Sequence, residues 1–202
     1  MKVYCWRLKN GIARTKSFEK KGLAQYAVNT GLKCGHKCAY CSTGTMVRMH
    51  EAFKKVGISP FDNSCAIVDP ETPARVAKDA KHKRKRGLIQ LCTIVDAWAP
   101  EAQQYDLGRR CLKAILSEPG WSVRILTKNA AVEKDFDLIE KHRDRILFGM
   151  SITAVPSKQK MISHIEPYAC PIEERISVMK KAHRLGFRTY AMFCPLLPNI
   201  AD

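Results

Sequence analysis

At 202 residues, with 46% hydrophobic and 27% charged side chains, the chain has the size and composition of one globular domain around a single substantial core. No run approaches the roughly 18 consecutive apolar residues of a membrane span, and the opening MKVYCWRLKNGIARTK has no signal-peptide core, so a cytoplasmic protein without a membrane partner is expected. The formal charge of +16, from 35 Lys and Arg against 19 Asp and Glu, favours a polyanionic partner such as nucleic acid.

Residues 1–21 read as an N-terminal extension ahead of a core domain over 22–202. The first expected strand is LAQYAVN, 23–29. It is followed by GLKCGHKCAYCSTG, 31–44, which sets Cys34, Cys38 and Cys41 at C-x3-C-x2-C spacing. The chain holds nine cysteines, an odd total, and a disulfide scaffold is the wrong inference for its size and expected compartment. Cys5, Cys65, Cys92, Cys111, Cys170 and Cys194 are scattered singly, and the three in apolar segments (Cys92, Cys111, Cys194) behave as small hydrophobes.

Clustered thiolates bind soft metals, as structural zinc or an iron-sulfur cluster. Zinc asks for a fourth ligand, and the candidates are His36, Cys5 and Cys65. Three thiolates on a four-iron cluster instead leave one iron open to chelation by a small molecule.

Further along, KVGISPFDNSCAIVDPETP, 55–73, reads as a loop. KDAKHKRKRG, 78–87, is the strongest basic block, suited either to a solvated helix end or to phosphate contact. From about residue 70, apolar runs of strand length alternate with amphipathic stretches, the pattern of a parallel sheet of βα units. Strands are expected at 88–95, 121–127, 145–153 and 187–194, buried on both faces where apolar residues are dense. Helices are expected over 100–116 and 130–142. The clearest helix, 171–186, carries Ile172, Ile176, Met179, Ala182 and Leu185 on one face and ends at Gly186.

That makes five strands in an α/β architecture, either an open doubly wound sheet or a barrel. Functional groups gather at the carboxyl ends of such strands. Asp96, Thr127, Lys128, Ser151, Thr153, Asn199 and Asp202 stand at or beyond those ends and are expected to converge near the cysteines.

The three-cysteine motif with Tyr40 before its third cysteine resembles the signature of radical SAM enzymes. Together with VDAWAPEAQ, ILTKNAAVEKDFDLIE, GMSITAV and HIEPYACPIEERISVMKKAHRLGFRTYAMFCPLLPNIAD, it is similar to the spore photoproduct lyase-like, or DNA repair photolyase-like, branch. The resemblance implies that Cys34, Cys38 and Cys41 hold a 4Fe-4S cluster. Its open iron would bind S-adenosylmethionine, and one electron would cleave that sulfonium to a 5′-deoxyadenosyl radical. It further implies Tyr40 beside the adenine, Lys128 on the cofactor carboxylate, Ser151 on its ribose or methionine portion, and Asp96 among the cofactor-binding residues. Glu166 and Arg175 match an internal ion pair or loop brace. DNA is the implied substrate, and the electron donor an external protein such as flavodoxin or ferredoxin.

Two departures stand out. Ser42 replaces an aromatic residue after the third cysteine, and Ile94 and Val95 precede Asp96 where the lyases have a hydrogen-donating cysteine. Cys92 lies deeper in the expected strand, as a buried structural thiol. Family cores resemble a partial, TIM-like barrel of six βα units, so with five strands visible the barrel is expected to be truncated after the fifth.

Overall fold

The structure, a computed structural model, describes residues 1–200; Asp202 lies outside the described residues. Its larger sheet has six strands. In chain order these are β2 (Ala13–Arg14), β3 (Tyr26–Val28), β6 (Leu88–Leu91), β7 (Ser122–Thr127), β8 (Ile146–Ser151) and β9 (Arg188–Met192), which is also their order across the sheet. β2 pairs antiparallel with β3, and the remaining five run parallel. The last four are linked by α5 (Pro100–Gln103) with α6 (Leu107–Leu116), then α7 (Phe136–Lys141), then α8 (Gln159–Ile165) with α9 (Ile172–Arg184).

Ile89, Leu91, Val123, Ile125, Phe148 and Met150 share one face of this sheet and the main core, together with Leu112, Ile115, Ile139 and Val178 of the helices. The other face is partly buried: Gln90 and Arg124 are buried on it, and Leu88, Leu126, Leu147 and Tyr190 are half-buried. Arg124 stacks its guanidinium 4.3 Å from the Tyr190 ring centroid. Gly149 is required beside it, because a Cβ there would lie 2.3 Å from the same ring. The expectation of strands buried on both faces holds on the apolar face and only in part on the second, where Gln90 and Arg124 are buried and their neighbours half-buried.

Several boundaries differ from the sequence reading. The segment 55–73 is not a loop throughout: it contains β5 (Cys65–Val68) and leads into α4 (Thr72–His82). β5 centres a second sheet, parallel to β1 (Lys2–Cys5) and antiparallel to β4 (Gly31–Lys33). Residues 1–21 are therefore woven into the domain rather than appended to it. Leu8 N–H donates to Asp69 at 2.6 Å, Ile12 N–H donates to Asp79 at 2.8 Å, and Ile12 is fully buried in the main core. Strands of three or four residues paired across 34 to 63 positions leave little local signal, which is why periodicity missed them.

The expected helix over 100–116 breaks at Asp106, whose φ of 50° is left-handed. The expected helix over 130–142 begins as a 3-10 turn, Ala130–Asp135. In α9 the buried stripe is Ile172, Arg175, Val178 and Ala182, rotated from the expected face so that an arginine points inward. Gly186 adopts φ 77°, and the hydrogen bonds Phe187 N–H to Ala182 O and Gly186 N–H to His183 O form a Schellman stop.

The basic block spans the end of α4 and the turn into β6, at the amino end of the sheet. Arg86 serves there as a brace, donating to the carbonyls of Pro119 and Lys83 and lying 3.5 Å from Glu118.

Candidate functional site

β4 delivers the chain to the cysteine loop, and α2 (Thr43–Val47) leaves it. Between them Lys37 takes a left-handed φ of 55°, with its ammonium 4.6 Å from the Tyr168 ring centroid. Cys38 is buried, Cys34 half-buried and Cys41 exposed. All three line a cavity of about 400 Å³ with Tyr40, Asp96, Lys128 and Ser151. The three cysteines, Tyr40, Asp96, Thr127, Lys128 and Ser151 therefore reach one place, at the carboxyl ends of β6, β7 and β8, whereas Thr153 lines a different cavity and Asn199 does not line this one. A larger cavity of about 830 Å³, between α9 and β9, contains none of the cysteines.

Asp96 is the hub of the polar network. Its carboxylate accepts from the Thr127 hydroxyl at 2.8 Å and from the backbone N–H groups of Trp98 and Lys128, each at 2.9 Å. It also faces His36 Nε2 at 3.0 Å, while His36 Nδ1 lies 3.0 Å from the Tyr168 carbonyl. Both of these partners are acceptors, so both ring nitrogens must donate and the ring is an imidazolium. Burial opposes the charge on His36, but the Asp96 carboxylate and the Tyr168 carbonyl outweigh it and raise its pKa. Burial likewise opposes the charge on Asp96, and the His36 and backbone donors hold its pKa below the ordinary value.

This network corrects one expectation. His36 is not available as a fourth metal ligand, since neither nitrogen is free. Asp96 lines the cavity with its oxygens engaged by protein donors, and through them it ties the cysteine loop to the ends of β6 and β7.

The pair also sets a pH window for the apoprotein. The His36 contribution is full below the ordinary 6.5 and is lost as pH rises through the raised value, while the Asp96 contribution is present above 3.8 and is lost as pH falls. Thermal melts of apoprotein should be most favourable between those limits, and His36→Asn should flatten the alkaline decline. An unchanged alkaline limb in the variant would remove the imidazolium from this account.

Glu166 organises the opposite wall. It accepts from Tyr40 Oη, from Thr153 Oγ1 at 2.8 Å and from Arg175 Nη2 at 2.5 Å, and Lys128 Nζ stands 3.9 Å away. Burial alone would raise its pKa, and the Arg175 and Lys128 charges bring it below the ordinary value. Arg175, 1% exposed, also donates to the carbonyls of Cys170 and Ser151 at 2.7 and 3.0 Å. The internal ion pair expected from the sequence is present. Lys128, 5.4 Å from the Tyr40 ring centroid, is the cation that lines the cavity beside the cysteines.

The strand expected to reach residue 95 ends at Leu91, and Cys92 turns out of it with φ 64°. Cys92 is thus a buried thiol, pushed up to about 12 by burial, that nevertheless lines the cavity, as does Cys194 beyond β9. The sequence reading missed these placements together with Glu101, whose carboxylate accepts from Gly35 N–H at 3.0 Å. Cys92 stood inside the expected strand 88–95, and only the earlier strand end at Leu91 brings it to the cavity; nothing local marked Glu101 as a partner of a residue 66 positions away.

Three cysteine thiols lining one cavity are a donor set for a soft metal centre, of zinc or of iron and sulfide. Burial pushes Cys38 up to about 11 and Cys34 well above its usual range, so a metal that binds them there releases their protons.

Parallel βα units with a three-cysteine loop at the carboxyl ends define an α/β protein built to hold a thiolate-ligated metal centre. The radical SAM superfamily model matches residues 28–202, and the chain belongs to that superfamily. An uncharacterized protein of Methanocaldococcus jannaschii is 28% identical over 179 residues, covering 89% of this chain and 63% of that protein. An uncharacterized protein of Acidianus two-tailed virus is 27% identical over 175 residues, covering 86% of this chain and 56% of its own length. Among solved structures, spore photoproduct lyase complexed with dinucleoside spore photoproduct gives a TM-score of 0.60 at 16% identity, over 98% of this chain and 52% of that one. A mutant of the lyase with bound AdoMet and the dinucleoside gives 0.61 at 18%, over 96% and 50%. At these identities the likeness is one of fold. The chain spans about half the length of the lyase and less than two thirds of the two relatives. No helix among the described residues is long and apolar enough to cross a membrane.

Proposed function

We propose that the protein is a radical SAM enzyme that holds a 4Fe-4S cluster on Cys34, Cys38 and Cys41 and acts on a nucleic acid, as a lyase of the photoproduct-repair kind. The observation that carries the reading is the gathering of those three cysteines, Lys128 and Ser151 around one cavity at the strand ends. When bound, the cluster and S-adenosylmethionine supply a 5′-deoxyadenosyl radical after one-electron reduction. The protein's own share is to bind, orient and shield. Lys128 supplies a cation for a carboxylate, Ser151 a small polar surface at the end of β8, and Tyr40, tied to Glu166 by its hydroxyl, a ring for an adenine to lie against. Asp96 with His36 fixes the loop and touches no ligand.

The five parallel strands are, on this reading, five units of a six-unit partial barrel. A further unit would pack along the outer edge of β9, beside the larger apolar cavity, and the longer chains of the relatives support that view. The test of function is anaerobic incubation with dithionite and S-adenosylmethionine. Appearance of 5′-deoxyadenosine is expected, and none from a protein with full iron content would refute the reading. Lys128→Met should weaken S-adenosylmethionine binding by about tenfold or more, the size of a lost charge-assisted hydrogen bond, with iron content unchanged. Equal affinity in that variant would free Lys128 of the role.

The nucleic-acid part rests on the charge of +16 and on the dinucleoside carried by the structural relatives. Binding to DNA that neutralises about six phosphates should weaken roughly 10³-fold between about 50 and 200 mM salt. Salt-independent binding would favour a peptide or small-molecule substrate. An external electron donor such as flavodoxin or ferredoxin completes the reaction, and a cytoplasmic setting would supply one.

A further inference from the structure

Arg124 is a buried cation without a counterion. It stands in β7 on the second face of the larger sheet, 7% exposed, with its guanidinium 4.3 Å from the Tyr190 ring centroid. Its Nε is buried with no hydrogen-bond partner. No carboxylate among the described residues is within ion-pair reach of it, whereas buried Arg175 has Glu166 and half-buried Arg75 has Asp69. Tyr190 supplies a ring and no charge: its hydroxyl donates to the Ile125 carbonyl at 2.8 Å, and burial pushes its pKa up to about 12. A guanidinium keeps its charge in a protein, and burying one unpaired is costly. Methionine at 124 would fill similar space without that cost, so the arginine calls for a partner.

The neighbouring residues say what kind. Gln90, Arg124, Leu147 and Arg188 form one row across β6, β7, β8 and β9. Two strand spacings, about 10 Å between backbones, separate Arg124 from Arg188, with Leu147 between them. Arg188 is exposed and, with Ser122 and Leu147, lines a cavity of about 360 Å³ at the amino end of the sheet. Asp144 is the one acid lining that cavity, and Arg145, the other cation there, donates to the carbonyls of Trp121, Leu116 and Glu118. Three guanidiniums against one carboxylate leave an excess of two positive charges in and beside the cavity. A guanidinium fork matches phosphate oxygens, and a phosphate monoester or inorganic phosphate carries about −1.5 to −2 near neutrality, where a carboxylate or a phosphodiester carries a single charge.

We propose that Arg124 and Arg188 hold a phosphate dianion between them, across Leu147 at the inner end of this cavity, and that this anion is the counterion of the buried guanidinium. The site needs neither the cysteines nor S-adenosylmethionine. It therefore goes beyond the function proposed above and stands or falls separately from it.

The experiment titrates apoprotein with inorganic phosphate by calorimetry at constant ionic strength and follows melting temperatures in chloride and in phosphate. Wild type should bind one phosphate per chain. Arg124→Met and Arg188→Met should each bind about tenfold or more weakly, the size of a lost charge-assisted hydrogen bond. Phosphate at about a hundredfold excess over Kd should raise the wild-type melting temperature by roughly 5–10 °C. Exclusion of phosphate from protein surfaces also stabilises, but that part does not saturate and is equal in the variants. In chloride Arg124→Met should melt no lower than wild type, since the uncompensated charge is gone. Arg188→Met, at an exposed position, decides the matter should Arg124→Met fail to fold. Wild type without saturable binding overturns the proposal, as does equal affinity in either methionine variant. A lower melting temperature of Arg124→Met in chloride with phosphate affinity kept overturns it in favour of packing. Arg84→Gln with Lys85→Gln, in the nearby basic block, should bind as wild type does, and loss of binding there overturns the assignment to Arg124 and Arg188. Two further probes identify the source of the group. Thymidine 5′-monophosphate bound as tightly as inorganic phosphate or better supports a nucleotide end, and inorganic phosphate bound more tightly supports a free ion. A dinucleoside monophosphate, singly charged, should bind about tenfold more weakly than the tighter of these, and equal binding overturns the dianion.

Discussion

Replacing Cys34, Cys38 or Cys41 with alanine should reduce iron and sulfide in reconstituted protein to background and abolish S-adenosylmethionine cleavage. The physical reason is the arrangement of the donors. Each cysteine reaches the cavity from a different part of one loop, and His36, which could otherwise have stepped in, has both nitrogens committed to Asp96 and the Tyr168 carbonyl. Cys92 and Cys194 also line the cavity, on other elements, and are the internal control. Cys92→Ala and Cys194→Ala should leave iron uptake intact. Zinc in place of iron, with full occupancy after loss of one of the three cysteines, would end the cluster assignment. Metal analysis by mass spectrometry together with resonance spectra of the reduced protein decides it.

Arg175→Leu should be the most destabilising single change, by about 3–5 kcal/mol, because it strands the buried Glu166 carboxylate. Three further bonds go with it, or lose their geometry: those from Arg175 to the Ser151 and Cys170 carbonyls, and the Tyr40 hydroxyl to Glu166. In a chain of 202 residues that corresponds to a fall in melting temperature of roughly 10 °C. Glu166→Gln combined with Arg175→Leu should cost less than Arg175→Leu alone, since the stranded charge is then absent. Chemical denaturation of the apoproteins measures both. Equal losses in the single and double variants would mean that packing, not the charge, carries the cost.

The parts that were legible in the sequence were those whose signal is local. Cys34, Cys38 and Cys41 declare themselves by spacing. Strands β6, β7 and β8 are dense in buried residues, and each is followed by a helical stretch with its own periodicity. The second sheet was not legible: β1, β4 and β5 are three or four residues long and find each other across the chain. The site was legible as a list of residues but not as a network. Lys128, Ser151 and Asp96 were placed by their positions at strand ends and Tyr40 by its place before Cys41, and all four reach the cavity. That Asp96 faces His36, 60 residues away, and that Tyr40 is tied to Glu166, 126 residues away, follows only from the folded chain.

The basic stretch at residues 78–87 enters β6 at one end, and the cysteines meet its other end. Four to six residues of strand, at about 3.3 Å each, separate the two by roughly 13–20 Å. A long anion gripped by those lysines and arginines would be tethered to the molecule's back, with no bearing on which of its atoms meets the radical. Choice of target must then be made at the cavity's rim, by shape and hydrogen bonding, and neutralising the stretch should loosen attachment without changing what is attacked.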